Sequence, residues 1–139
     1  MRRLVIDTNI YVDWFNAGRH EDVLFRRDTV KHLSAVVLME LRSGAFSTSD
    51  RRRLVHVESA FARAGRIVVP SRTVFVEAGE ALNRLAKRGF AVGSTHSIVN
   101  DVLIALSARS IGATVVTQNE KDYRTIESVA PFQLEVVRE

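Results

Sequence analysis

Four acidic residues in this chain have no ready explanation as surface charge, and together they suggest one kind of chemistry. Asp7 closes a short apolar run, Leu4-Val5-Ile6. At helical spacing Glu40 falls on a face with Val36, Val37, Leu41 and Gly44, and Asp101 on one with Ile98, Val102, Ala105 and Ala108. Asp122 comes just after the β-branched run Thr114-Val115-Val116-Thr117. An ionised carboxylate on an apolar face is costly unless something neutralises it. Plainer readings exist. Asp7, Thr8 and Asn9 are ordinary cap and turn residues, and Arg42 is a candidate ion-pair partner for Glu40. If the acids converge, they repel one another, and a hard divalent cation held by oxygen ligands and water is the simplest remedy. Magnesium or manganese suits these residue types. None of His20, His32, His56 and His96 forms an obvious pair with the acids, which disfavours zinc.

Convergence depends on the elements that carry the acids. Leu4–Ile6 reads as a strand buried on both faces, followed by a short helix over Ile10–Asn16 that ends at Ala17-Gly18. Glu21–Lys31 reads as a second helix with Val23, Leu24 and Val30 inward, and His32–Val36 as a second strand. Helices are expected over Val36–Ala45 and Arg51–Gly65, the latter burying Leu54, Val57 and Phe61. Arg51-Arg52-Arg53 fan out along that helix, so at most two of them share a surface. Ile67–Val69 gives a third strand and Ser71–Gly89 a long helix. A loop over Phe90–His96 leads to a helix over Ser97–Ile111, with Gly112 placed to end it. Thr114–Thr117 is the fourth strand, Ile126 belongs to a short helix, and Gln133–Val137 is the last strand. Such alternation implies an α/β fold with a central parallel sheet of about five strands covered on both sides. In an open parallel sheet, ligands bind at the carboxyl ends of the strands, where the strand order reverses. The four acids meet there if the first and fourth strands are neighbours.

The composition is that of one ordinary globular domain spanning 1–139, with 46% hydrophobic and 26% charged residues. The chain has no cysteine, which excludes disulfides, thiolate metal sites and cysteine nucleophiles. No apolar run approaches the length of a membrane span, and Asp7 interrupts any early signal-like stretch, so a cytoplasmic location is expected. Net charge is +4 and nearly all the basic residues are arginines, a composition suited to phosphate. Other phosphate chemistries fit less well. Asn9 stands where an aspartyl phosphatase places a second acid, Arg2-Arg3 occupies the region where a receiver domain needs an acidic pair, and no phosphate-cradling glycine loop is present.

Four segments together resemble the PIN-domain ribonucleases, and among them the VapC-type toxins of bacterial toxin–antitoxin pairs. They are Ile6-Asp7-Thr8-Asn9, the run from Val37 to Gly44, the run from Asn100 to Ala105, and the run from Gly112 to Tyr123. The resemblance implies an α/β/α sandwich and a magnesium-dependent endoribonuclease, with manganese a possible substitute. Asp7, Glu40, Asp101 and Asp122 carry over as its acids, Asp7 and Asp101 ligating metal most directly. Thr8, Asn9, Thr117 and Asn119 are then positioning groups. Asn119 holds a place where some relatives carry an acid, leaving the fourth site residue open between Asn119 and Asp122. Tyr123 stands where the family more often has phenylalanine, read here as a change of packing. Arg42, Arg72, Arg84 and Arg124 are candidates to hold RNA phosphates. The resemblance also implies a homodimer and a cognate antitoxin, received on the helix carrying Tyr11, Trp14 and Phe15 and on its neighbour over Arg51–Gly65. The alternative is a PIN fold that binds RNA or protein without cutting.

Overall fold

The computed structural model describes residues 1–92 and 97–138, and within them a single five-stranded sheet forms, all its pairings parallel. The elements follow the chain as β1 (Arg2–Ile6), α1 (Thr8–Ala17), α2 (Glu21–Leu24), β2 (Thr29–Ser34), α3 (Ala35–Ser43) and α4 (Thr48–Arg63). Then come β3 (Ile67–Val68), α5 (Arg72–Lys87), α6 (Ser97–Ser110), β4 (Ala113–Thr117), α7 (Glu120–Glu127) and β5 (Gln133–Val136). The strand order is β3-β2-β1-β4-β5. The chain therefore builds outward from β1 on one side, then returns to lay β4 against its other edge. Arg3 stands opposite Ala113 and Ile6 opposite Val116 across that junction. The strand order therefore reverses at β1, and the condition for the acids to meet, the first and fourth strands as neighbours, is satisfied.

Successive strand residues point to opposite faces, so a strand buried at every position needs cover on both sides. Leu4, Val5 and Ile6 of β1 are fully buried, and all of β4 is buried too. Helices supply that cover, giving the α/β/α arrangement. Serines start three of them: Ser34 accepts from the N–H groups of Val36 and Val37, Ser47 from Asp50, and Ser71 from Val74. Helix α6 is the most deeply set, with Val102, Ile104, Ala105 and Ala108 fully buried and small side chains allowing close approach.

One segment differs from the expectation. The helix expected over Glu21–Lys31 stops at Leu24, and β2 begins at Thr29, ahead of the strand expected at His32–Val36. Val30 stands opposite Arg3 in the sheet instead of packing on a helix. Asp28, in a left-handed conformation at φ 59°, turns the chain between the two. Over so short a stretch the apolar spacing fits either period, and the open edge of β1 decides in favour of a strand. The loop expected over Phe90–His96 lies at 93–96 outside the described residues.

Leu4→Ala, at the centre of the sheet, is expected to cost about 3 kcal/mol in urea unfolding. Val69→Ala, on a 69% exposed side chain, should stay within about 0.5 kcal/mol. Equal losses at the two sites would contradict this placement of the core.

Candidate metal centre

Asp7 leaves the carboxyl end of β1 with its N–H still bonded to the Val116 carbonyl of β4, at 2.9 Å. It is also the N-cap of α1, accepting from the Thr8 N–H at 2.8 Å. The plainer reading of Asp7 as a helix cap is therefore met by its geometry. Its second oxygen accepts from the Thr117 hydroxyl at 2.6 Å, with the Asn9 amide 3.4 Å away. Thr117 is fully buried at the end of β4 and also accepts from the Asn119 N–H at 3.0 Å. The first residue of α1 and the last residue of β4 thereby hold one carboxylate from two sides.

Glu40 comes from α3. The Thr8 hydroxyl donates to one of its oxygens at 2.5 Å and the Asn100 amide to the other at 3.3 Å. Arg42 is not its partner: two residues further round the helix, it pairs with Glu58 at 2.5 Å. Asp101, from α6, is 6% exposed, and its Oδ2 is buried with no hydrogen-bond partner among the described residues. Asp7, Glu40 and Asp101 line one open hollow, with Thr8, Asn9 and Asn119 also on its wall.

Asp122 and Asn119, the two candidates for the fourth site residue, are bonded to each other. Asn119 caps α7 by accepting from the Asp122 N–H at 3.4 Å, and its amide donates back to the Asp122 carboxylate at 3.0 Å. Asn119 lines the hollow, whereas Asp122 acts on it through that bond and through its charge, which is felt at Asp101.

The electrostatics follow from this crowding. Burial pushes the Asp101 carboxyl up to about 8, and the charges of Asp7, Glu40 and Asp122 add to the effect. Burial also raises Asp7, partly offset by hydrogen bonds from Thr117 and Thr8. Among the described residues no three His, Asp or Glu side chains already close into a cage for an ion. The donor set nonetheless fits a hard divalent cation, which keeps several waters and takes one or two carboxylates directly. An unpartnered, buried Asp101 oxygen beside two further carboxylates is the arrangement such a charge would settle.

Three residues at this centre escaped sequence reasoning. Asp13 lines the hollow one helical turn beyond Asn9, held by Gln118 at 2.9 Å and by His20 at 3.4 Å. The i, i+4 spacing of Asn9 and Asp13 was a usable signal. Asn100 orients Glu40, and no sequence pattern announces that contact. Tyr123 is fully buried on the inner face of α7, and its hydroxyl faces both Asp7 and Asp101, a placement beyond the packing role expected of it. The arginine candidates are dispersed. Arg84 donates to the Val129 carbonyl, ahead of β5 and so at the opposite end of the sheet. Arg124 pairs with Glu120 and Glu127. Arg72 is exposed in the first turn of α5, and its side chain makes no hydrogen bond or ion pair among the described residues.

Residues 4–127 match the family profile described as PIN domain. The chain is 28% identical over 129 residues to Ribonuclease VapC2 of Rickettsia felis, covering 88% of this chain and 90% of that protein. It is 26% identical over 94 residues to Ribonuclease VapC1 of Haemophilus influenzae, covering 68% of this chain and 66% of that relative. Among solved structures, DNA-bound VapBC from Salmonella typhimurium superposes with a TM-score of 0.73 at 27% identity, covering 98% of both chains. VapBC2 from Rickettsia felis, bound to a promoter DNA fragment, gives 0.71 at 24% identity, covering 98% of this chain and 99% of that one.

A raised carboxyl costs stability once it is forced to ionise. For Asp101 the folded value lies above the unfolded one, so its contribution is intact below about pH 4 and is lost as pH rises toward about 8. In metal-free protein Asp101→Asn should therefore melt higher than the parent, by about 5 °C or more at pH 8.5. The gap should close on approach to pH 4. A gap independent of pH would show that Asp101 is not held protonated by its surroundings.

Proposed function

The chain belongs to the PIN-domain family, and from that premise we propose that residues 1–139 form a metal-dependent endoribonuclease, the toxin of a toxin–antitoxin pair. The observation that carries the reading is the meeting of Asp7, Glu40 and Asp101 around one hollow where the strand order reverses. The family implies a divalent metal, and we assign magnesium, with manganese a substitute. Asp7 and Asp101 would hold it directly, while Glu40 and Asp122 act through water or a second ion. When bound, such an ion offsets the carboxylate charges, acidifies a water molecule and stabilises the charge that develops on the scissile phosphate.

The chain's own groups do the positioning. Thr117 and the Thr8 N–H hold Asp7 in one rotamer, leaving its remaining lone pairs for the ion. Thr8 and Asn100 fix Glu40 from both ends. Glu40, less buried than Asp7 and Asp101 and on the wall of the hollow, is placed to accept a proton from the attacking water. The water oxygen bonds to phosphorus as the bond to the leaving ribose oxygen breaks, and a proton returns to that oxygen. With no cysteine in the chain, activated water is the natural nucleophile. Arg72 remains a candidate phosphate contact.

The antitoxin is assigned to the apolar groove between α1, α2 and α4. Tyr11, Trp14, Phe25, Val57 and Phe61 line it, with Trp14 edge-on to Phe25 at 5.6 Å. Phe25 is 60% exposed, an unusual position for so large an apolar side chain. Association of the toxin with a second copy of itself belongs to the same proposal.

Purified Asp7→Asn and Asp101→Asn should each lose magnesium-dependent RNA cleavage by about a hundredfold or more, and chelation should abolish it in the parent. Undiminished cleavage by both variants would sink the mechanism. Cleavage by neither the parent nor the variants at any metal would favour the non-cutting alternative. Separately, Phe25→Asp should weaken capture of the small protein encoded by the adjacent gene by about tenfold or more while RNA cleavage persists. Retained capture would move the partner off this groove.

A further inference from the structure

The Tyr123 hydroxyl is an unusual group to find beside buried acids. Tyr123 is fully buried, and its ring is locked edge-on against Phe132 at 6.0 Å and 65°. Among the described residues the hydroxyl has no hydrogen bond of good geometry, and Asp101 Oδ2 is likewise buried and unpartnered. Two orphaned polar atoms, a donor and an acceptor, therefore lie in the same centre. Asp7 does not need the hydroxyl, because Thr8, Asn9 and Thr117 already reach its carboxylate. Asp101 has no such support. A phenol offers one proton, so it can serve one carboxylate at a time.

We infer that Tyr123 is a positioning residue for the metal centre, its hydroxyl donating to Asp101 when a divalent cation binds and so turning that carboxylate's other lone pairs toward the ion. The inference rests on the proposed metal-dependent function. Burial holds the phenol neutral to well above its ordinary range, so it stays a donor wherever the carboxylates are ionised. A bond from the phenol would supply a donor to the one buried Asp101 oxygen that has none among the described residues. Groups that hold ligands from behind in this way tune metal affinity although they never touch the ion.

Tyr123→Phe removes one oxygen and keeps the ring, so the contact with Phe132 survives. Manganese binding, followed calorimetrically without RNA, should weaken by about tenfold. The magnesium concentration for half-maximal cleavage should rise to match, with the rate at saturating metal changed by less than about threefold. The melting temperature of the metal-free variant should not fall, because an unpartnered buried hydroxyl is lost. Unchanged manganese affinity overturns the role of Tyr123, as does a loss of affinity accompanied by a comparable loss of metal-free stability. If the parent itself binds no manganese, the metal-dependent function falls and this inference falls with it. If the parent binds manganese and cuts RNA while Tyr123→Phe binds as tightly, only the role of Tyr123 is lost.

Discussion

The pairing of β1 with β4 is the contact on which the rest of the centre depends. Because β4 lies against β1 and not beside β3, the chain leaves the sheet in opposite directions at that junction, and a hollow opens above it. The Asp7 N–H bonded to Val116 carries the ladder to its last residue, and Thr117 on the next strand turns its hydroxyl onto the Asp7 carboxylate. Shifting either strand by one residue would point these side chains to the other face. The register that aligns Ile6 with Val116 therefore sets the clamp on Asp7 as well as the core.

Around this junction the protein accepts an electrostatic cost. Asp7 and Asp101 are nearly as buried as the aliphatic core, yet both are acids in mutual repulsion. Hydrogen bonds relieve part of it at Asp7 and at Glu40, whereas the buried Oδ2 of Asp101 has no such partner among the described residues. A fold selected for stability alone would place apolar side chains there. The cost is intelligible if the centre is completed by a cation, since the features that strain the metal-free state strengthen the bound one.

The arginines show how a composition can mislead about a site. Twenty basic residues against sixteen acidic ones invite an RNA-binding reading, yet many guanidinium groups are occupied with the protein itself. Arg26 forks onto both oxygens of Glu135, Arg109 bridges Glu77 and the Pro131 carbonyl, and Arg42 holds Glu58. These contacts tie edge strands and helix ends together. Net positive charge can still steer a polyanion at long range, without any one of these arginines touching it.

By itself the sequence determined the parallel α/β architecture, because apolar runs too short for helices alternate with stretches of helical period. It also determined that Asp7, Glu40 and Asp101 needed explaining, since an acid within an apolar stripe violates a local rule that folding must answer for. Tertiary structure alone decided the start of β2, where periodicity was ambiguous and an open strand edge claimed the segment. It alone decided that Thr8 and Asn100, far apart in the chain, hold Glu40, that Asp122 reaches the centre by way of Asn119, and that Arg84 faces away from it. The division has a physical reason. Periodicity and burial are properties of a segment and can be read along the chain. Which hydroxyl meets which carboxylate depends on how helices pack across a sheet, over distances that no local pattern encodes.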